Sequence, residues 1–303
     1  MAKTMEEVLE RFREAREDFA VIINEYALIV GLITLNDLTS TLVGDPLIDS
    51  DDGDITVTRH HVVLTVLDDV KSAIAVLTPG DDGWERRPLA GVPSLGTVEV
   101  GAVDDETSDA LWVIATDFLT PSTLLLADAS AGAAPPEALK AEPAFFDADT
   151  HVAEQRFATS DDGTRVPYFL VRPRGQESDG DNPTLLYGYG GFEISLTPAY
   201  APGVGKGWLE RGGTYAVANI RGGGEYGPRW HQAALRENRH RAYEDFAAVA
   251  RDLIARGVTS PSRLGVRGGS NGGLLTGNML TRYPELFGAV VIQVPLLDMR
   301  RYS

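Results

Sequence analysis

Ser270 sits in the run Arg267-Gly-Gly-Ser-Asn-Gly-Gly-Leu-Leu275, with Gly268 and Gly272 spaced as Gly-x-Ser-x-Gly. A serine in that spacing does acyl-transfer chemistry when a sharp strand-to-helix turn holds its Oγ clear of the backbone. The glycines suit such a turn, because neighbouring Cβ atoms would collide there. The N–H of Asn271 faces the same spot. It can stabilise an oxyanion with help from the positive end of the helix that follows. The alternative is a Gly-rich turn in which Ser270 does no more than cap that helix.

The surrounding residues supply the elements such a turn needs. Arg263-Leu-Gly-Val266 is a short apolar strand, and a helical pattern follows the serine to about Tyr283. Upstream, Val166–Val171, Thr184–Tyr187 and Gly213–Ile220 read as strands, and Ala289–Val294 reads as a buried strand downstream. A helix is expected over Ala242–Arg256, with Phe246, Val249, Leu253 and Ile254 on one face and Gly257 as its stop. Strands alternating with helices predict a largely parallel α/β sheet over 155–303, with active groups at the carboxyl ends of its strands.

The segment 46–154 has a different character. Short β-type runs at Ile55–Thr58, Val62–Leu67, Ala73–Leu77, Val98–Val100, Leu111–Thr116 and Ser122–Ala127 are separated by Gly, Pro and Asp. They predict an antiparallel all-β unit, sandwich or propeller-like, of about two four-stranded blades. Ala129–Pro143, rich in Ala and Pro, reads as a surface connector. Before this, residues 4–18 read as an amphipathic helix, Phe19–Ile23 and Leu28–Thr34 as strands, and Asn36-Asp37 as the start of a second helix.

Lys and Arg number 27 against 44 Asp and Glu, for a net charge of −17, which argues against nucleic acid as a partner. There is no cysteine, so disulfides, thiol nucleophiles and Cys-based zinc sites are excluded. No metal site or cofactor is expected. The composition fits a reducing compartment, and a cytoplasmic location is the expectation. The first eighteen residues lack the apolar core of a signal peptide, and no apolar run is long enough for a membrane span.

Three motifs in order are similar to those of prolyl oligopeptidase, a serine peptidase family: Tyr187-Gly-Tyr-Gly-Gly-Phe192, Ala218-Asn-Ile-Arg-Gly-Gly-Gly-Glu-Tyr-Gly227 and Gly268-Gly-Ser-Asn-Gly-Gly273. The likeness runs from about residue 55 to 303. It implies an α/β-hydrolase domain joined to a β-propeller that limits substrate size, with residues 46–154 as partial propeller blades. It also implies that Ser270 is the nucleophile, and that the Asn271 N–H and the Tyr189 hydroxyl are the oxyanion donors. A phenol suits that task, since it donates one directional hydrogen bond and stays protonated with a pKa of about 10. Phe192 resembles a wall of a proline-accepting pocket. The implied substrate is a short proline-containing peptide, cleaved after proline through an acyl-enzyme.

Residues 1–45 resemble a different module, the cystathionine-β-synthase-type (CBS) unit of CorC or haemolysin-type proteins. In that family a Thr-x-x-Asp pair contacts the ribose of an adenine nucleotide, and Thr34 and Asp37 match it. The alternative is that Thr34 ends a strand and Asp37 caps a helix. The fold class expected for the whole chain is therefore α/β: a truncated α/β-hydrolase sheet, preceded by an all-β partial propeller and a short α+β CBS-like unit.

The triad order in such hydrolases is Ser, then acid, then His. All five histidines (His60, His61, His151, His231 and His240) precede Ser270. The resemblance thus implies that the acid, the base and the last strands lie outside residues 1–303. The expectation is a fragment that is inactive alone and prone to self-association along its open sheet. A serine esterase or other acyl hydrolase would use the same turn, and an adenine-nucleotide-sensing module is the non-enzyme alternative.

Overall fold

The computed structural model of the chain describes residues 19–23, 29–34, 54–80, 83–298, 300 and 301. In the expected N-terminal unit, β1 (Phe19–Ile23) and β2 (Ile29–Thr34) form an antiparallel hairpin. Thr34 ends β2. Asp37 and the residues expected to form the two flanking helices lie outside the described residues.

Two antiparallel four-stranded sheets follow. The first comprises β3 (Asp54–Val57), β4 (Val62–Asp68), β5 (Lys71–Gly80) and β6 (Gly83–Pro88), paired in chain order. The second comprises β7 (Thr97–Ala102), β8 (Ala110–Thr116), β9 (Thr123–Asp128) and β10 (Glu137–Ala141), also paired in chain order. Period-two alternation sets their faces. Leu111, Val113 and Ala115 of β8 point inward, whereas Trp112 and Ile114 face out. Val63, Ile74 and Val76 of the first sheet share a core with Val98, Val100, Leu111 and Val113 of the second. The stretch expected to be a connector, 129–143, in fact carries β10. All five of its residues are exposed and it pairs only with β9, so an edge strand without a buried face gave no alternation to read.

The third sheet is six-stranded, in the order β11-β12-β14-β13-β15-β16. Its strands are β11 (His151–Thr159), β12 (Arg165–Pro173), β13 (Thr184–Gly188), β14 (Thr214–Ala218), β15 (Leu264–Gly269) and β16 (Ala289–Gln293). β11 and β12 join it antiparallel, and β14, β13, β15 and β16 run parallel. Four helices are described: α1 (Pro202–Gly207), α2 (Pro228–Gln232), α3 (His240–Ala255) and α4 (Asn271–Arg282). Tyr243, Phe246, Val249, Ala250 and Leu253 recur every three or four positions on α3, giving it one buried face. That face shares a core with Tyr168 and Leu170 of β12, Leu186, Ala216, Val266 and, from α4, Leu275 and Met279.

β12 is buried on both sides. The side chains between those two, Phe169 and Val171, point to the opposite face and pack with Phe118, Phe146, Val217 and Val70. Val70 comes from the β4–β5 hairpin of the first sheet. It is completely buried with φ 66°, next to Asp69 at φ 47°. A two-residue hairpin turn favours such left-handed backbone. A β-branched residue in it is an outlier, sustained only where its surroundings over-determine it. Here the aromatic socket around Val70 does so, together with hydrogen bonds to Asp69 from the Tyr226 hydroxyl and the Gln155 amide.

Candidate active site

The parallel strands β13 and β15 lie side by side, so their carboxyl ends open together at one edge of the sheet. Ser270 is the first residue beyond β15 and has φ 56° and ψ −116°. Its N–H donates to Gln293 O at 3.0 Å, and its carbonyl accepts from the N–H groups of Gly273 (2.9 Å) and Leu274 (3.1 Å). The backbone of this turn is thus fixed on both sides. The side chain makes no capping hydrogen bond, so Ser270 is not serving as an ordinary N-cap. The glycines have steric causes. A Cβ on Gly268 would stand 2.1 Å from Gly272 O, and one on Gly272 would stand 2.8 Å from Gly188 O.

Asn271 opens α4, so its N–H has no acceptor within the helix and is one of the orphan donors of the N-terminus. Its side chain is buried and reaches back to the β13 loop, where Nδ2 donates to Tyr189 O at 2.7 Å. Tyr189 follows the last residue of β13 and is half-buried. Its ring centroid lies 6.5 Å from that of Phe192, with the planes tilted by 41°. Phe192 is 63% exposed and has φ 54°, so the ring is presented to solvent from a tight loop. Ser270, Asn271, Tyr189 and Phe192 therefore form a chain of neighbours around one strand-end crevice. The Ser270 hydroxyl and the orphan N–H of a helix start are adjacent there, and such an N–H can stabilise negative charge on a carbonyl oxygen.

The loop after β14 closes against this crevice. A Cβ on Gly222 would lie 2.5 Å from Gly190 O. Its neighbour Arg221 is buried and anchors the loop from below. Its Nη2 and Nε donate to the two oxygens of Asp245 at 2.6 and 2.9 Å, and its Nη1 donates to Asp162 at 2.6 Å. Ser160 Oγ donates to Asp245 at 2.6 Å as well. Burial opposes the charge on Arg221, yet the bonds to Asp245 and Asp162 leave its pKa raised overall. The Arg221 guanidinium in turn holds the Asp162 carboxyl well below the usual carboxylate range.

Each histidine is engaged elsewhere. His60 bonds Asp109, His61 bonds Thr78, His151 bonds Leu209 O, and His240 bonds Glu237 O. His231 Nδ1 lies 2.7 Å from Gly222 O, at the back of the loop. No described residue stands as a base on Ser270. Asp298, on the segment after β16, pairs with exposed Arg301. No group of three or more His, Asp or Glu that could hold a metal occurs among the described residues.

Sequence reasoning missed Arg239. It lies in Arg236-Glu-Asn-Arg-His-Arg241, which has the look of a solvated charged face. In fact it is half-buried, with Nη1 donating to Gly190 O at 2.6 Å and Nη2 to Asn271 Oδ1 at 3.0 Å.

Comparison with known proteins gives this geometry a family context. Residues 205–303 match the model of the prolyl oligopeptidase family. An uncharacterized peptidase of Sinorhizobium fredii, y4nA, is 52% identical over 248 residues, 82% of this chain and 34% of that protein. The prolyl endopeptidase of Elizabethkingia meningoseptica is 40% identical over 234 residues, 77% of this chain and 33% of that protein. Among solved structures, a post-proline cleaving enzyme from Rickettsia typhi superposes with a TM-score of 0.71 at 36% identity, covering 82% of this chain and 36% of that one. The chain spans about a third of the length of the curated relatives it matches.

Proposed function

We propose, from the premise that residues 205–303 belong to the prolyl oligopeptidase family of serine peptidases, that they form part of an enzyme cleaving short peptides after proline. Ser270 Oγ adds to the scissile carbonyl carbon, the carbonyl π pair moves onto oxygen, and the hydroxyl proton passes to a general base. The C–N bond then breaks, the amine leaves with a proton, and water hydrolyses the acyl-enzyme. The Asn271 N–H and the Tyr189 hydroxyl stabilise the oxyanion, and Phe192 offers an aromatic wall to the proline ring. The observation that carries this reading is the left-handed, uncapped Ser270 at the start of α4, with the Asn271 side chain tied to the Tyr189 backbone carbonyl.

The base is the part that the described residues do not supply, because each histidine bonds elsewhere. Residues 1–303 alone therefore turn over little or nothing, and activity belongs to the full-length protein that carries them. The test is hydrolysis of Gly-Pro amides against a panel of simple acyl esters by that full-length protein, with Ser270→Ala as control. Amide cleavage after proline that Ser270→Ala abolishes is the expected result. Ester turnover without proline cleavage would make it an esterase. Proline cleavage by Ser270→Ala would remove the serine from the mechanism.

A further inference from the structure

We infer that Arg239 is a positioning residue for the oxyanion site, acting through the side chain of Asn271. The inference rests on the reading of Asn271 and Tyr189 as oxyanion donors. Those donors come from different parts of the chain: Tyr189 from the end of β13, and Asn271 from the start of α4. Neither element alone fixes the distance between them, and electrostatic stabilisation depends on that distance being set before reaction.

A continuous polar bridge sets it. Asn271 Nδ2 donates to Tyr189 O at 2.7 Å, and Asn271 Oδ1 accepts from Arg239 Nη2 at 3.0 Å. The other arm of the same guanidinium, Nη1, donates to Gly190 O at 2.6 Å. The planar fork therefore holds the carbonyl of the residue after Tyr189 and the amide of Asn271 together. The amide orientation is decided by chemistry. Arg239 can only donate and the Tyr189 carbonyl can only accept, so a flipped amide would oppose both contacts. The packing leaves the bridge no slack. A Cβ on Gly191 would stand 2.4 Å from Asn271 Nδ2, and one on Gly222 would stand 3.1 Å from Arg239 Nη1.

The guanidinium suits this task better than an ammonium. Its two donors diverge in one rigid plane and reach two acceptors on two segments, whereas a lysine presents a point charge on a flexible stem. Arg239 also faces the Tyr243 ring of α3, with its Cζ 5.6 Å from the ring centroid, which holds the plane from behind.

The test uses the full-length protein, with Arg239→Ala, Arg239→Lys and Ser270→Ala compared on a Gly-Pro amide. Two inhibitors separate the states: a peptidyl prolinal, whose hemiacetal oxygen occupies the oxyanion position, and a peptidyl pyrrolidine, which carries the ring but no carbonyl carbon from which that oxygen could form. Arg239→Ala is expected to lower kcat about 10- to 100-fold while KM moves less than about 3-fold. Prolinal affinity should fall in parallel, peptidyl pyrrolidine affinity should hold, and Arg239→Lys should recover part of the loss. A merely structural role would lower the melting temperature and leave the ratio of the two affinities unchanged. That unchanged ratio in Arg239→Ala and Arg239→Lys alike, or wild-type kcat in Arg239→Ala alongside a dead Ser270→Ala, overturns the inference alone. Proline cleavage that survives Ser270→Ala overturns the reading on which it rests.

Discussion

The Tyr226 hydroxyl donates to Asp69 Oδ1 at 2.6 Å, joining the loop after β14 to the β4–β5 hairpin across 157 positions of sequence. Burial and then this hydrogen bond to a carboxylate raise the phenol's pKa, so Tyr226 stays a donor throughout the working pH range. Tyr226→Phe keeps the ring and its edge-on contact with Trp230 and removes only the donor. It should cost about 1 kcal/mol, below the roughly 1.5–3 kcal/mol of a hydrogen bond to a charged group because the site is partly exposed. A urea midpoint unchanged from wild type would show that the link carries no stability.

Ser270 has a backbone geometry that a side chain disfavours. Ser270→Gly should therefore stabilise the chain, because relief of about 1–3 kcal/mol of local strain exceeds the roughly 1 kcal/mol of extra glycine chain entropy. Ser270→Ala keeps its Cβ and should gain nothing. Equal thermal midpoints for the Gly and Ala variants would mean that the turn is not strained.

The Asp162–Arg221 pair predicts a pH dependence. The folded-state pKa of Asp162 lies below its unfolded value, so the pair contributes fully above the unfolded carboxylate pKa of about 4. The contribution is lost as pH falls toward the folded value. Asp162→Asn should accordingly be less stable than wild type at pH 7, and the difference should shrink progressively below about pH 4. A gap of constant size between pH 7 and pH 3, measured by urea titration, would contradict the assignment.

β16 is an outer strand of the six-stranded sheet, and Val291, Val294 and Leu297 on and after it are exposed. Open apolar edges favour pairing between chains. Residues 1–303 are expected to associate as concentration rises, and Val291→Lys is expected to shift them toward monomer in sedimentation. Monomeric behaviour of the unmodified chain at tens of micromolar would contradict this.

The parts of this fold legible in the sequence are those with a buried face or a fixed stereochemical demand. The helix read as Ala242–Arg256 is observed at His240–Ala255, because its apolar residues recur at helical spacing. The serine turn is legible because two glycines at fixed offsets answer specific collisions with backbone oxygens. β10 is illegible because none of its residues is buried, and β6 because its Trp-Glu-Arg-Arg run looks like a loop. Arg239 escapes for another reason. Its role depends on which carbonyl its two nitrogens meet, and local composition does not encode that; it looks like any arginine in a charged run. Thr34 and Asp37 rest on a motif alone, since Asp37 is not among the described residues.

The plug that Val70 makes in the aromatic socket has a practical consequence for anyone dissecting this chain. A recombinant piece beginning at His151 would keep every strand of the six-stranded sheet, yet it would leave Phe169 and Val217 bare where Val70, Phe118 and Phe146 had covered them. The two regions are soldered, not hinged, at that point, and a protease that nicks between them should not set two soluble halves free.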